Sequence, residues 1–511
     1  MYDTNPAGGG FPSESLHWIG PPGTTPGVRR SRGFRYHGVL PMALRPFKTR
    51  FAPSPTGLLH LGNIRTALFN YLLARQAGGT FLLRLEDTDA MRGHEKFARA
   101  LEDDLRWLGL VWNEGPEAGG SHGPYAQSER GHIYKEYFSA LESRGLAYPC
   151  FCSEHELAIS RKTAIAAGRP PRYSGKCRAL SRAEAEARFG RGEPATLRFR
   201  VEEGRTVEFD DKVRERQVFN TDDIGDFVIR RSDGTPAFFF CNAIDDAVMG
   251  VTLVVRGEDH LTNTPRQILL LQALGLPVPA YAHIALVVGA DGAPLSKRTG
   301  SRSVQELREA GFLPAAIHNY LARLGHTYED NSFMTLDKLV SSFSLARLHR
   351  APARYDEAHL VHWQREALLH LSAGEVGEWM GDKVSVLVPV DKREAFVIAV
   401  RANVTFPADA IHWAQIVFSD ALTISHPARE AITAAGEEFF DVARRAVEKH
   451  GADFKAVSEM LRHTLSVSGK PLFQPLRAAL TGELDGPEMA KLLPLIGVER
   501  ARERLSRFVM S

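Results

Sequence analysis

The sequence predicts an α/β protein. Its first part holds a parallel sheet interrupted by an insertion, and its second part is all α-helical. Strand-like and helix-like segments alternate up to about residue 304, an order typical of parallel βαβ units. Between residues 115 and 225 the pattern changes to cysteine-containing turns and short strands, which indicates an insertion. Beyond residue 305 helical periodicity dominates. A chain of 511 residues with 44% apolar residues predicts more than one domain.

The composition indicates the cellular environment of the protein but says little about its binding partners. The chain has 63 Lys and Arg against 61 Asp and Glu, a formal net charge of +2, so any nucleic-acid surface must be local. Four cysteines are too few for a disulfide framework and suit a reducing compartment, which we take to be the cytoplasm. No apolar run approaches the roughly 18 residues of a membrane-spanning helix, so no membrane partner is expected.

Residues 1–41 differ from the rest of the chain. They are rich in Gly, Pro and Arg and follow neither a helical nor a strand period. We expect them to be a disordered leader, or sequence upstream of a true start at Met42, which directly precedes the first strand-like run.

The first βα unit begins with FKTRFAP (47–53), which predicts a strand. After a loop rich in proline and glycine, Ile64, Leu68 and Leu72 recur on one face of a predicted helix. GGTFLLRLEDTD (78–89) predicts a second, buried strand, with Glu86 just beyond its apolar run. Because open parallel sheets bind ligands at the carboxyl ends of their strands, Glu86 is expected near the first loop.

After the insertion the sheet is expected to resume at residue 225. Asp233-Gly234 lies between two β-rich runs, the second of them at AFFF (237–240), and predicts a hairpin. The runs 250–260 and 282–292 predict further buried strands, separated by a helix that Gly275 ends.

Two loops carry residues suited to phosphate chemistry. APSPTGLLHLGN (52–63) places Gly57, His60 and Gly62 before the first helix, whose free N–H groups and dipole favour a phosphate. Alone, such a loop is equally well a structural turn. GAPLSKRTGS (292–301) follows an apolar strand and places Lys297 next to Arg298. Two such loops in one chain favour a nucleotide site over a solvated charge pair.

These loops resemble the two signatures of class I aminoacyl-tRNA synthetases, HLGN standing for HIGH and LSKR for KMSKS. RLEDTD, GPYAQSER, GTPAFFFCNAIDD, VVRGEDHLTNTPRQ and KPLFQPLRAALTG resemble bacterial glutamyl-tRNA synthetases, over essentially everything after Met42. The resemblance implies a Rossmann-like catalytic domain (42–114 and 226–304), an inserted acceptor-binding subdomain (115–225), a helical stem-contact region (305–370) and a helical anticodon-binding domain (371–511).

The resemblance also implies the site residues. Those for ATP are His60, Gly62, Asp259, Val287, Ser296, Lys297 and Arg298. His60, Lys297 and Arg298 would act in catalysis, and Mg²⁺ would arrive with the triphosphate. Those for glutamate are Arg50, Ala52, Ser54, Glu86, Phe238, Asn242 and Arg256. The structural alternative for Arg50 and Arg256 is an ion pair with Glu86, Asp89 or Glu258.

Two positions depart from the family pattern. Phe238 stands where many relatives have a tyrosine that hydrogen-bonds the substrate, and Pro294 stands where the second signature often begins with lysine. Neither change removes Lys297, so we expect an active enzyme with altered substrate affinity.

A cysteine cluster resembles the zinc knuckle that some relatives carry in the acceptor-binding insertion. Cys150, Cys152 and Cys177 supply three ligands, and tetrahedral zinc needs a fourth. Many relatives have a histidine where this chain has Ala179, which leaves Tyr173 or His155 as candidates. The alternatives are one structural Zn²⁺ held by these cysteines with Tyr173, and a set of reduced, packed thiols.

By resemblance, the chain is expected to be a monomeric ligase that uses ATP to activate L-glutamate as glutamyl-adenylate and transfers it to the 3′ end of tRNA-Glu. Two alternatives stay open at this point. In the first, the enzyme charges tRNA-Gln in addition to tRNA-Glu, or tRNA-Gln alone. In the second, the chain is a tRNA-binding paralogue without catalysis.

Overall fold

The computed structural model describes residues 46–88, 94–168, 172–295 and 302–509. The chain divides into two compact units, the first with residues up to 301, 322–329 and 337–355, the second with 302–321, 330–336 and 356 onward. Within the described residues, every strand belongs to the first unit and the second is helical, which confirms the predicted fold class. Across the same ranges no helix combines the length and the apolar character needed to span a membrane.

The strands are β1 (Lys48–Phe51), β2 (Thr80–Leu83), β3 (Ala147–Cys150), β4 (Thr196–Phe199), β5 (Thr206–Asp211), β6 (Glu215–Asn220), β7 (Phe227–Arg230), β8 (Leu253–Gly257), β9 (Ala280–Ile284), β10 (Val287–Val288) and β11 (Ala353–Arg354). The helices up to residue 274 are α1 (Leu61–Gln76), α2 (His94–Trp107), α3 (Gly131–Ser143), α4 (Glu154–Ala166), α5 (Arg182–Gly190), α6 (Thr221–Ile224), α7 (Phe238–Val248) and α8 (Thr264–Leu274).

The remaining helices are α9 (Val304–Glu309), α10 (Pro314–Arg323), α11 (Leu336–Ser342), α12 (Glu357–His370), α13 (Ala373–Met380), α14 (Asp382–Leu387), α15 (Arg393–Val400), α16 (Pro407–Phe418), α17 (His426–Ala435), α18 (Glu437–His450), α19 (Phe454–Leu465), α20 (Lys470–Thr481), α21 (Met489–Ile496) and α22 (Val498–Ser506). Those from α13 onward surround a core of their own.

Parallel strand pairs form the centre of the first unit. β1 pairs with β2 from Lys48↔Thr80 to Phe51↔Leu83, and β8 pairs with β9 from Leu253↔Ala280 to Gly257↔Ile284. β1 lies beside β8, since the Thr252 amide donates to the Lys48 carbonyl at 2.9 Å. The strand ends therefore meet at one edge, where ligands bind in such folds.

The insertion is joined to this centre by strand pairing. β3, β4 and β7 form an antiparallel sheet, so β7 belongs with the insertion instead of resuming the parallel sheet as predicted. The β5–β6 hairpin adds to the edge of β9, where Asp211 pairs with Tyr281. A segment that reads as separate along the chain thus contributes a strand to the sheet that contains β8 and β9.

The predicted turn at Asp233-Gly234 forms, but the run after it is not a strand. Gly234 adopts a positive φ of 89°, and the chain then enters helix α7. Phe240, Ile244 and Ala247 are buried along α7 at helical spacing. Burial of that face outweighs the strand propensity of three consecutive phenylalanines. Gly275 ends α8 in the left-handed conformation, as predicted.

Candidate active site

A cleft of about 800 Å³ opens where β1, β2 and β8 end. Among the residues that line it are all the described ones predicted to contact ATP or glutamate: Arg50, Ala52, Ser54, His60, Gly62, Glu86, Phe238, Asn242, Arg256, Asp259 and Val287. Ser296, Lys297 and Arg298 lie outside the described residues, and Leu295, directly before them, lines the cleft. The structure therefore brings distant parts of the sequence into one site.

One wall of the cleft is the N-terminus of α1. His60 precedes the helix with an extended backbone (φ −121°, ψ 170°), and its amide donates to Asn63 Oδ1 at 3.3 Å. A Cβ at position 62 would lie 3.2 Å from the His60 ring, so glycine keeps this corner open. The free N–H groups and positive dipole of a 16-residue helix thus border the cleft, as a phosphate site requires.

The cleft floor contains a buried ion-pair network that the sequence only partly predicts. Arg50 Nε donates to Asp246 Oδ1 at 3.0 Å, and Arg84 donates to the same oxygen at 2.7 Å. Arg84 also pairs with Glu86 Oε1 at 3.0 Å. Among the described residues the counter-ion of Arg50 is therefore Asp246, not Glu86 or Glu258 as the structural alternative expected. Asp89, the third acid of that alternative, lies outside the described residues. Two features of the sequence could have revealed this network: Arg84 is a charge within an apolar run, and Asp246 is a charge within an apolar helix.

Arg256 stands apart from that network because no acid pairs with it among the described residues. It is 5% exposed. Its Nη2 donates to Thr264 Oγ1 (2.9 Å) and Gln267 Oε1 (2.7 Å), and its Nε to His283 Nε2 (3.1 Å). Nη1 is buried without a hydrogen-bond partner. Burial lowers the pKa of Arg256 to about 10, so the guanidinium still carries its charge at neutral pH.

Glu86 and Asn242 complete the floor. Asn242 Nδ2 donates to Glu86 Oε1, and Gln267 Nε2 donates to Asn242 Oδ1 at 2.9 Å. A continuous chain of side-chain hydrogen bonds thus links Glu86 to Arg256. Burial raises the pKa of Glu86 despite its pairing with Arg84, so an additional cation beside this carboxylate would be favourable.

The charges of the floor do not balance. Four buried guanidinium groups, Arg50, Arg84, Arg130 and Arg256, face three carboxylates, Glu86, Asp245 and Asp246. Arg84 lies 4.0 Å from Asp245, and Asp245 also pairs with Arg130. A buried charge without a partner is costly. The arrangement therefore favours a ligand that brings one more negative charge than positive charge to the floor.

The mouth of the cleft is more polar than a phenylalanine at position 238 suggests. The Phe238 ring stacks on the His260 imidazole, with centroids 5.4 Å apart and planes 29° apart. Both side chains line the cleft. The exposed Asp259 and the buried Val287, which lies on β10, line it as well. His260 therefore supplies a polar group next to Phe238, the position where the resemblance led us to expect a tyrosine.

The cysteine cluster of the insertion has dimensions that suit zinc. Single ligand atoms of Cys150, Cys152 and Cys177 all lie within 4.8 Å of one another. The Tyr173 hydroxyl lies 3.4 Å from the Cys150 sulfur and 3.7 Å from the Cys152 sulfur. Two thiolates at ~2.3 Å from a tetrahedral zinc lie ~3.8 Å apart, and Cys152 and Cys177 are 3.7 Å apart. Tyr173 adjoins the thiols, whereas His155 is exposed.

Comparisons with known proteins identify the family of the chain. Residues 46–362 match the catalytic domain of class I tRNA synthetases (E and Q), and residues 390–509 match an anticodon binding domain. Glutamate--tRNA ligase 2 of Nitrosococcus oceani is 59% identical over 90% of this chain and 98% of its own length. Glutamate--tRNA ligase 2 of Coxiella burnetii is 51% identical over the same shares.

A solved structure has the same fold. The glutamate tRNA ligase from Elizabethkingia meningosepticum, crystallised in complex with its amino acid, superimposes with a TM-score of 0.81 at 29% identity. The match covers 90% of this chain and 99% of that one. The relatives, the two domain models and this structural match all agree, and the chain belongs to the glutamate--tRNA ligase family of class I tRNA synthetases.

Proposed function

We propose that this chain activates L-glutamate with ATP and transfers it to tRNA-Glu, using the cleft at the strand ends for both steps. The observation that carries the proposal is Arg256, a buried cation without an acidic partner among the described residues, on a cleft that also exposes a helix N-terminus. In the first step a glutamate α-carboxylate oxygen attacks the α-phosphorus of ATP, and pyrophosphate leaves. In the second step a ribose hydroxyl of the tRNA 3′ end attacks the activated carbonyl, and AMP leaves.

Glutamate recognition follows from the charges of the floor. Arg256 binds the side-chain carboxylate, and Arg50, Ala52, Ser54, Phe238 and Asn242 shape the pocket around it. Glu86 binds the α-ammonium group, whose charge relieves the burial of that carboxylate. Glutamine would leave the extra guanidinium uncompensated, and such a loss of charge pairing is how the site rejects a neutral isostere.

The ATP phosphates lie at the N-terminus of α1. His60 and Gly62 contact them there, with Asp259 and Val287 near the rest of the nucleotide. Charge that develops on the phosphoryl oxygens requires fixed donors and cations, which we assign to the α1 N-terminus, Ser296, Lys297 and Arg298. Mg²⁺ enters with ATP as part of the substrate complex.

A Zn²⁺ ion held by Cys150, Cys152, Tyr173 and Cys177 fits the dimensions of the cluster. Its contribution would be structural, since it cross-links the end of β3 to the loop that carries Cys177. The chain acts as a monomer in the cytoplasm, where its tRNA substrates and a reducing environment are found.

The decisive test is charging of purified tRNA-Glu and tRNA-Gln transcripts with radiolabelled glutamate, in parallel and at equal enzyme concentration. Label on tRNA-Glu alone is the expected result. Label on both, or only on tRNA-Gln, would identify an enzyme whose product must be amidated. Label on neither, from folded protein, would overturn the catalytic proposal in favour of a tRNA-binding paralogue.

A matched pair of variants shows whether the cleft is responsible. Arg256→Gln should raise the KM for glutamate at least ~10-fold, because a hydrogen bond to a charged group contributes about 1.5–3 kcal/mol. Arg266→Gln is the control, since this arginine lies on α8 over the Phe239 ring and does not line the cleft. A normal KM in Arg256→Gln would remove Arg256 from glutamate binding.

A further inference from the structure

A buried aspartate–histidine pair lies behind the cleft and contacts Arg256. Asp211 ends β5, which belongs to the insertion, and His283 lies on β9 of the parallel sheet. Both side chains are fully buried, and Asp211 Oδ2 lies 2.6 Å from His283 Nδ1. Neither residue lines the cleft, so neither can contact the substrate.

The hydrogen bonds fix the tautomer of His283. Arg256 Nε can only donate, so His283 Nε2 must accept this hydrogen bond at 3.1 Å. Nδ1 then carries the proton and donates it to Asp211. The imidazole is neutral in this arrangement, and burial, which lowers its pKa, favours that state.

The aspartate is held in place as firmly as the histidine. Its Oδ1 accepts from the amides of Val213 (3.0 Å), Arg214 (2.8 Å) and His283 (3.1 Å). With three donors on Oδ1, only Oδ2 faces the imidazole ring. The carboxylate therefore determines which histidine nitrogen is protonated, and the histidine determines where the Arg256 Nε–H points.

Resting on the proposed role of Arg256 in glutamate binding, we propose that Asp211 and His283 are positioning residues that orient the Arg256 guanidinium for the substrate carboxylate. Thr264 and Gln267 accept only from Nη2, and a guanidinium held at one nitrogen can still rotate. The Thr264 hydroxyl also lies 3.0 Å from His283 Nε2 and helps to hold the imidazole. The contact at Nε supplies the second fixed point. A residue of the insertion thereby sets the geometry of the amino-acid site.

The test uses the full chain and compares His283→Leu, His283→Gln and Asp211→Asn, each with Arg256 intact and with Arg256→Gln. His283→Leu removes the acceptor, whereas the amide oxygen of His283→Gln can replace it. Asp211→Asn is isosteric, but its amide nitrogen would donate to Nδ1 and move the ring proton to Nε2, where it opposes the Arg256 donor. A wrong histidine tautomer of this kind is strongly deleterious in the serine protease triad.

The measurements are the KM values for glutamate and for ATP, together with kcat, in tRNA-dependent aminoacylation. With Arg256 intact, His283→Leu and Asp211→Asn should each raise the KM for glutamate ~10-fold, with little change in the KM for ATP, and His283→Gln should stay close to the wild type. In the Arg256→Gln background none of the three should add a further increase. His318→Leu removes a buried histidine of the second unit and serves as the control for packing loss.

Each other result counts against the proposal in a recognisable way. A normal KM for glutamate in both His283→Leu and Asp211→Asn, with a raised KM in Arg256→Gln, would overturn the positioning role and leave the proposed function intact. A normal KM in Arg256→Gln would overturn both. Equal increases in both KM values that persist in the Arg256→Gln background would show a general packing defect. Should His283→Leu fail to fold, the isosteric Asp211→Asn decides the question.

Discussion

Replacing Arg256 by methionine should separate substrate binding from folding. Burial lowers the pKa of Arg256 to about 10, which corresponds to roughly 3 kcal/mol spent on keeping the group charged in the folded state. Methionine removes that cost. It also leaves Thr264, Gln267 and His283 without their hydrogen bonds, at about 1 kcal/mol each. The two contributions nearly cancel, so we expect the free energy of unfolding to change by no more than ~1 kcal/mol.

Arg84→Met is the matched comparison. Arg84 is fully buried like Arg256, but it pairs with both Glu86 and Asp246. Its removal leaves buried carboxylates without their partner, which costs about 3–5 kcal/mol. Urea unfolding of the two variants and the wild type measures the difference, and glutamate KM values are taken from the same samples. If Arg256→Met destabilised the protein as much as Arg84→Met, Arg256 would be a structural ion-pair residue and the charge argument would be refuted.

Further predictions concern the second signature, the thiol cluster, the leader and acid stability. Lys297→Ala should abolish most pyrophosphate exchange in the presence of tRNA while tRNA affinity is kept; unchanged exchange would exclude this lysine from the mechanism. Cys177→Ala should eliminate bound zinc as measured by elemental analysis, and a wild-type protein that contains no zinc would favour reduced thiols. Deletion of residues 1–41, which precede both matched domains, should leave the specific activity unchanged; a large loss would make the leader part of the enzyme. Burial raises the pKa of Glu114, but hydrogen bonds from His122 and Lys48 outweigh it and bring the pKa to about 2. Since this lies below the ordinary value of about 4.3, the stability that Glu114 contributes is present above that pH and lost as the pH falls toward 2. Glu114→Gln should therefore differ most from the wild type near neutral pH, and the difference should shrink as the pH falls from ~4 toward ~2; a constant difference in urea midpoints would contradict this.

The sequence predicts where the site lies better than it predicts which charged side chains pair within it. Glycine spacing and strand ends are local signals, and they place His60, Gly62 and Glu86 correctly at the cleft. Which acid neutralises which arginine depends on contacts between residues almost two hundred positions apart, as for Arg50 and Asp246. No local pattern contains that information.

The same limit explains why two predictions about the fold were wrong. AFFF has high strand propensity, but its place in α7 is decided by which residues pack against the neighbouring helix. β7 joins the insertion because β4, about 30 residues earlier, offers it an antiparallel edge. His283 gave no signal at all, since a single histidine in an apolar strand is uninformative until its neighbours are known.

The pairing of β5 with β9 bears on how such enzymes can be recombined. An insertion that only touched its host could be exchanged between relatives as a cassette, to alter the choice of tRNA while the chemistry is kept. Here the exchange would also replace β5, the strand that pairs with β9 of the host sheet, and the carboxylate at its end. A chimaera built at residues 115 and 225 should therefore be made with donors that keep an aspartate at position 211 and an intact hairpin after it. Under the proposed positioning role of Asp211, grafts that lack them should also lower the affinity for glutamate.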